Sequence, residues 1–191
     1  MTFGLVRRLL AAAAMALAPG LALAEGVGAK TYAISGDSGI ELYESIGRNG
    51  PSGAIAETRF DLKWRRLFDE EGGDCRLVRF KPDISIVKIV PKPKGKLSPA
   101  LKRKWDLFIA GVHRHEDEHV RMIGEMLAET ERAAAGAKVV GDPTCAKVKK
   151  LVAEQINQAT AAYKSRSRDF DRVELSEGGN VHQLILALVN D

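Results

Sequence analysis

Residues 98–126 read SPALKRKWDLFIAGVHRHEDEHVRMIGEM, and their spacing decides the fold. Ser98 is a helix N-cap residue, and Pro99 suits the first helical position, where no amide donor is needed. No further proline occurs before Pro143, so a long helix is predicted from Ser98 to about Ala135. Leu101, Trp105, Phe108 and Val112 follow one another in steps of four, three and four, which traces a single helical face. That face continues through His115 and His119 and resumes with Met122 and Met126. Gly111 and Gly124 are points where the helix can bend.

His115, Glu116 and His119 form the pattern H-E-x-x-H. Two imidazoles four residues apart stand one above the other on a helix and can share one Zn²⁺ at about 2.0–2.1 Å each. Glu116, one position round from His115, can take a proton from a water in the open metal position. Both rings project from the inward side, where an imidazole pair needs a partner and a metal ion supplies one. His113, Arg114, Asp117 and Glu118 fit a solvated helix surface and are assigned no role.

Working outward towards the N-terminus, Cys75 to Val90 is rich in β-branched residues and reads as a strand ended by Pro91, Pro93 and Gly95. Ala54 to Phe68 alternates through Thr58, Phe60, Leu62 and Trp64. The polar, glycine-bearing stretch Asp69 to Asp74 joins the two, which predicts a long antiparallel hairpin. Lys30 to Ser35 reads as a short strand. Ile40 to Ile46 follows at helical spacing and is closed by the turn residues of Asn49 to Gly53. The fold class expected is α+β: a short strand and helix, a long hairpin, then two or more packed helices with the histidine motif on the first long one.

Towards the C-terminus, Val148, Leu151, Val152, Ile156 and Ala159 predict a second helix from Pro143 to about Tyr163. A catalytic zinc site needs a third protein ligand. Arg121 to Ala134 contains no histidine, so the ligand comes from further on: Glu154, Asp169, Asp171 or His182. Tyr163, or an arginine of the Arg166–Arg168 segment, is a candidate for stabilising an oxyanion. The apolar tail Leu184 to Val189 is expected to dock on the domain rather than on a partner.

The 191 residues are enough for one domain and awkward for two. Residues 1–24 read as a signal peptide: Arg7 and Arg8, then an Ala/Leu-rich run, then the cleavage signal Ala22-Leu23-Ala24. The mature domain is then 25–191, exported to the periplasm or beyond, with no stable membrane insertion after cleavage. An exported chain meets oxidising conditions, so Cys75 and Cys145 are expected to form a disulfide. Without Arg7 and Arg8 the 29 basic residues become 27 against 25 acidic ones, a formal charge of +2. The clusters at Lys92–Lys96 and Lys147–Lys150 have no interleaved aromatic residues, which argues against a nucleic-acid partner. The partner expected is a peptide or protein substrate.

The order of residues resembles a bacterial family, domain of unknown function 922, described as predicted secreted zinc-dependent proteases. The resemblance rests on Gly50-Pro51, then Thr58 and Trp64, Cys75 ahead of a strand ending at Pro91, Trp105 before His115-Glu116-x-x-His119, and Cys145 beyond. It implies an α+β domain and a zinc peptidase in which Glu116 is the general base. In that family a Tyr is followed six residues later by a His-Gly pair. Here Tyr163 is followed at that spacing by Asp169-Phe170, so the resemblance implies Asp169 as third ligand, with Glu154 and His182 as alternatives. The other function expected is a non-catalytic exported cell-envelope domain that holds zinc structurally or binds a protein partner.

Overall fold

The structure, a computed structural model, describes residues 26–190. The expected signal peptide and its cleavage site lie outside the described residues. The architecture is α+β. Strand β1 (Val27–Ile34) leads to helix α1 (Gly39–Asn49), a short 3₁₀ turn (Pro51–Gly53) and the hairpin β2 (Glu57–Glu71) and β3 (Asp74–Pro93). Helix α2 (Pro99–Ala134), the short strand β4 (Lys138–Val139), and helices α3 (Ala146–Leu175) and α4 (Asn180–Val189) follow.

The hairpin turns on two residues, Gly72 and Gly73, both in the left-handed region with φ of 63° and 84°. That is the geometry whose twist matches paired strands, and glycine adopts it without steric cost. Both strands therefore run closer to the turn than their alternation alone predicts. Strand β3 is central, antiparallel to β2 and parallel to β1. The sequence gives no hint of the parallel pairing, because β1 and β3 are joined through a distant crossover.

Pairing with β1 also carries β3 through Pro91 and Pro93, which were expected to end it. The Lys94 amide donates to the Ile34 carbonyl at 2.9 Å, so even-numbered amides face β1. The two prolines then fall on the other side, where β2 pairing has stopped at Ile89 and no donor is demanded.

One face of the sheet packs on the helices. Phe60, Leu62 and Trp64 of β2, with Ile84 and Ile86 of β3, cover Met122, Ile123, Met126 and Leu127 of α2 and Ala159 and Tyr163 of α3. A second core joins Ile34, Leu42 and Ile46 to Leu101, Trp105, Phe108 and Val112, with Leu188 of α4 packed in; the apolar tail docks on its own domain. A third surrounds the Cys75–Cys145 disulfide, which closes a loop of 70 residues. In the chain-entropy account such a link stabilises the fold by about 4 kcal/mol. Asp142, not the N-cap residue Cys145, caps α3: its Oδ2 accepts from the Val148 amide at 2.9 Å.

Helix α3 is the main departure from the sequence reading. The apolar spacing predicts an end near Tyr163, and the helix instead runs to Leu175. The added turns carry half of the site described next.

Candidate metal centre

Helix α2 begins at Ser98, whose hydroxyl accepts from the Leu101 amide at 3.3 Å, and no helix-breaking residue interrupts it. Its apolar stripe packs inward as predicted, with Phe108, Val112, Met122 and Met126 all buried. His115 and His119 share that stripe and face α3. Along α3, Tyr163, Ser167, Asp171 and Glu174 recur at steps of four, four and three, which places them on one face looking back.

The two sets meet. His115 Nε2 and His119 Nε2 lie 3.1 Å apart. Asp171 Oδ1 is 3.2 Å from the first and 2.9 Å from the second. Four ligands at about 2.0–2.1 Å round a tetrahedral zinc stand about 3.3 Å from one another. The three atoms thus form one face of such a tetrahedron, slightly contracted. The group could hold a metal ion, and two imidazoles with a carboxylate suit zinc by donor chemistry.

Asp169, the ligand implied by the resemblance, is not in this group. Its carboxylate is exposed and pairs with Arg172 at 2.9 Å. Two residues along a helix turn a side chain by about 200°, so Asp169 and Asp171 cannot both face α2. Of the alternatives, Glu154 is exposed and 3.8 Å from Lys150. His182 Nδ1 accepts from the Gly178 amide at 3.3 Å.

The outer atoms of the rings are also placed. Ser167 Oγ lies 3.2 Å from His119 Nδ1, so an Nδ1–H donating to it leaves the Nε2 lone pair free. His115 Nδ1 is buried without a hydrogen bond; its closest carboxylate is Glu174 Oε2 at 3.8 Å. Glu174 is itself held through Oε1 by the Asn180 amide at 2.6 Å. Phe170 stacks on the His115 ring, 4.7 Å between centroids and 20° between planes, and meets His119 edge-on.

Charge tunes the cluster. Burial opposes the imidazolium form of His115, but the Asp171 hydrogen bond and the nearby Glu116, Asp171 and Glu174 carboxylates outweigh it and raise the pKa. Burial acts to raise the Asp171 pKa, yet hydrogen bonds with His115 and His119 hold it well below the usual carboxylate range. Asp171 is thus a standing anion between two rings, the electrostatic setting a cation fits.

Glu116 is 3 % exposed. Thr58 Oγ1 donates to its Oε2 at 2.6 Å. Thr58 arrives by register: it continues the inward face of β2 beyond Phe60, opposite Lys88, and Lys88 in turn pairs with Asp117 of α2. Two adjacent α2 residues are thereby tied to the sheet. A cavity of about 420 Å³ opens over His115, Glu116, His119 and Asp171, with Thr58, Tyr163 and Ser167 in its wall. Burial holds the Tyr163 phenol above its ordinary pKa, so it stays a donor. Of the arginine candidates for the oxyanion, Arg166 reaches Glu129 at 3.8 Å instead and Arg168 is exposed.

Fold and site together define an α+β domain whose H-E-x-x-H helix forms, with a carboxylate from the next long helix, a partly buried group able to hold a metal ion. The chain belongs to the family described as bacterial protein of unknown function (DUF922), whose model matches residues 29–179 and so spans the whole group. No curated protein and no solved structure matches the chain.

Proposed function

We propose that the protein is an exported zinc-dependent peptidase, with His115, His119 and Asp171 as metal ligands and Glu116 as general base. The observation that carries this reading is the convergence of two Nε2 atoms and one carboxylate oxygen, with the buried Glu116 beside them on a cavity wall. A purely structural zinc site is normally closed by four protein ligands. Here three ligand atoms converge at the edge of an open recess, which leaves a position for water. Export is supported by the Cys75–Cys145 disulfide. Among the described residues no helix is long and apolar enough to cross a membrane.

Zinc, when bound, supplies Lewis acidity: it lowers the pKa of water towards about 7 and polarises a carbonyl. The chain's own residues do the rest. Glu116 takes a proton from the attacking water as the water oxygen bonds to the peptide carbon. When the C–N bond breaks, Glu116 returns that proton to the leaving amine. Thr58 keeps the carboxylate aimed into the cavity. Tyr163, a protonated donor on the same wall, is placed to bond the oxyanion.

The test compares wild type with Glu116→Gln for bound zinc and for cleavage of a proteome-derived peptide mixture. The variant should retain zinc and lose about 10²–10⁴-fold in rate, the usual worth of a positioned acid–base group. If zinc-loaded wild type cleaves nothing above the variant's background, the reading fails and a non-catalytic zinc-binding or partner-binding domain takes its place.

A further inference from the structure

The residues lining the cavity over the metal group fall into two chemically unlike sets. One comprises His115, Glu116, His119, Ser167 and Asp171. The other is assembled from five separate segments: Tyr43 of α1, Ile55 and Ala56 ahead of β2, Val112 of α2, Leu175 at the end of α3 and Val181 of α4. The fold holds this second set in place. Val112 is 2 % exposed and Val181 4 %. The Tyr32 phenol donates to the Ile55 carbonyl at 2.6 Å, which fixes the segment that carries Ile55 and Ala56. Burial pushes the Tyr32 pKa up to about 12, so that donor persists at any physiological pH.

We infer that this second set forms a side-chain pocket for an aliphatic or aromatic residue next to the scissile bond of a peptide, with Ile55, Ala56, Val112 and Val181 setting its size. The inference rests on the peptidase reading and adds a substrate class to it. A recess of this volume lined mostly by apolar groups, with a few polar groups beside the metal ligands, has the build of a small-ligand site. The polar end is the reaction centre, so the apolar end meets a neighbouring part of the substrate.

Charge excludes the alternatives. Glu57 is the carboxylate in the cavity lining outside the metal end, and its Oε2 is engaged by Arg59 at 2.7 Å. A lysine side chain entering the apolar end would lose hydration without gaining a free counter-ion. An acidic side chain would lose hydration in the same way, and the nearby Arg59 is already engaged by Glu57. An apolar side chain meets neither penalty and buries its surface.

The experiment has a binding arm and a cleavage arm. In the first, wild-type protein is titrated with the amides of acetyl-leucine, acetyl-phenylalanine, acetyl-aspartate and acetyl-lysine, and the methyl NMR signals of Ile55, Val112 and Val181 are followed. The leucine and phenylalanine amides should shift these signals, with at least about 10-fold tighter binding than the charged amides, the lower bound for discrimination in a shaped apolar pocket. Ala56→Phe, which fills the recess, should weaken the phenylalanine amide at least about 10-fold while bound zinc stays at the wild-type level. Val112→Ala, which enlarges it, should move the ranking towards the larger amide. Absence of shifts, equal binding of the aspartate amide, or rankings unmoved by both variants overturns the inference. In the second arm, cleavage sites in a proteome-derived library should show apolar residues at one flanking position. Cleavage without such a bias overturns the pocket and leaves the peptidase reading standing. Leucine-amide binding without any cleavage does the reverse.

Discussion

Asp171 Oδ1 lies 2.9 Å from His119 Nε2, although 52 residues separate them. The contact exists because α2 and α3 pack through Met122, Ile123, Met126, Ala159 and Tyr163, which brings the two inward faces into register above that core. Asp171→Ala removes one of three candidate ligands. Its zinc affinity should fall by more than the about 10–100-fold typical of an outer partner. Asp169→Ala, on the opposite face, should bind zinc as wild type does. Titration of both variants with a competing chelator checks this; equal losses would return the choice between the two carboxylates to the start.

Thr58 is the residue through which the sheet touches the chemistry. Thr58→Val keeps the shape and removes the hydroxyl that donates to Glu116 Oε2 at 2.6 Å. Leaving a buried carboxylate one donor short costs about 1–3 kcal/mol. For a chain of this size each kcal/mol lowers the melting temperature by about 2–4 °C. Zinc content should not change, because Thr58 is not a ligand. A variant that melts and turns over like wild type would show that Glu116 is aimed by something else.

The metal-free protein should have a distinctive pH profile. The raised pKa of His115, set by Asp171, Glu116 and Glu174 against burial, gives a stabilising contribution fully present below the ordinary value of 6.5. That contribution is lost as pH rises through the raised value. Asp171, held low by its histidine hydrogen bonds against burial, contributes above its ordinary 3.8 and loses that contribution as pH falls through the lowered value. Both act together between 3.8 and 6.5. Zinc needs neutral imidazoles, so its own stabilisation grows on the alkaline side. The difference in melting temperature between zinc-loaded and metal-free protein should therefore be larger at about pH 8 than at about pH 5. A difference that does not vary with pH would remove His115 from the ligand set.

Much of the site was legible in the sequence because it obeys one rule, the helical period. The steps from Leu101 to Met126 place His115 and His119 inward, and they are inward. The same rule applied beyond Tyr163 gives Ser167, Asp171 and Glu174 at once. The charged run Lys164 to Arg172 nonetheless resembles a solvated tail. In fact that charge covers the outer face of a helix whose inner face carries the site. Thr58 bonding Glu116 needs the register of the hairpin, which the Gly72-Gly73 turn fixes but alternation alone does not. The parallel pairing of β1 with β3 depends on how the crossover packs, and no local pattern encodes that.

Gly39, the first residue of α1, lies directly against the backbone of α4. A Cβ built there would sit 1.8 Å from the Leu188 carbonyl oxygen and 2.8 Å from its carbon. Both are backbone atoms and cannot rotate aside, so Gly39→Ala must move one helix off the other. Helix α4 brings Leu188, 1 % exposed, into the core and Val181 into the recess wall. Overpacking of this kind costs about 1–3 kcal/mol, which should appear as a lower melting temperature. The ligands sit on α2 and α3, so zinc content should match wild type. Binding of the acetyl-leucine amide should weaken, because the wall that carries Val181 has shifted. A variant that loses zinc while keeping that binding would mean α4 supports the metal group rather than the recess.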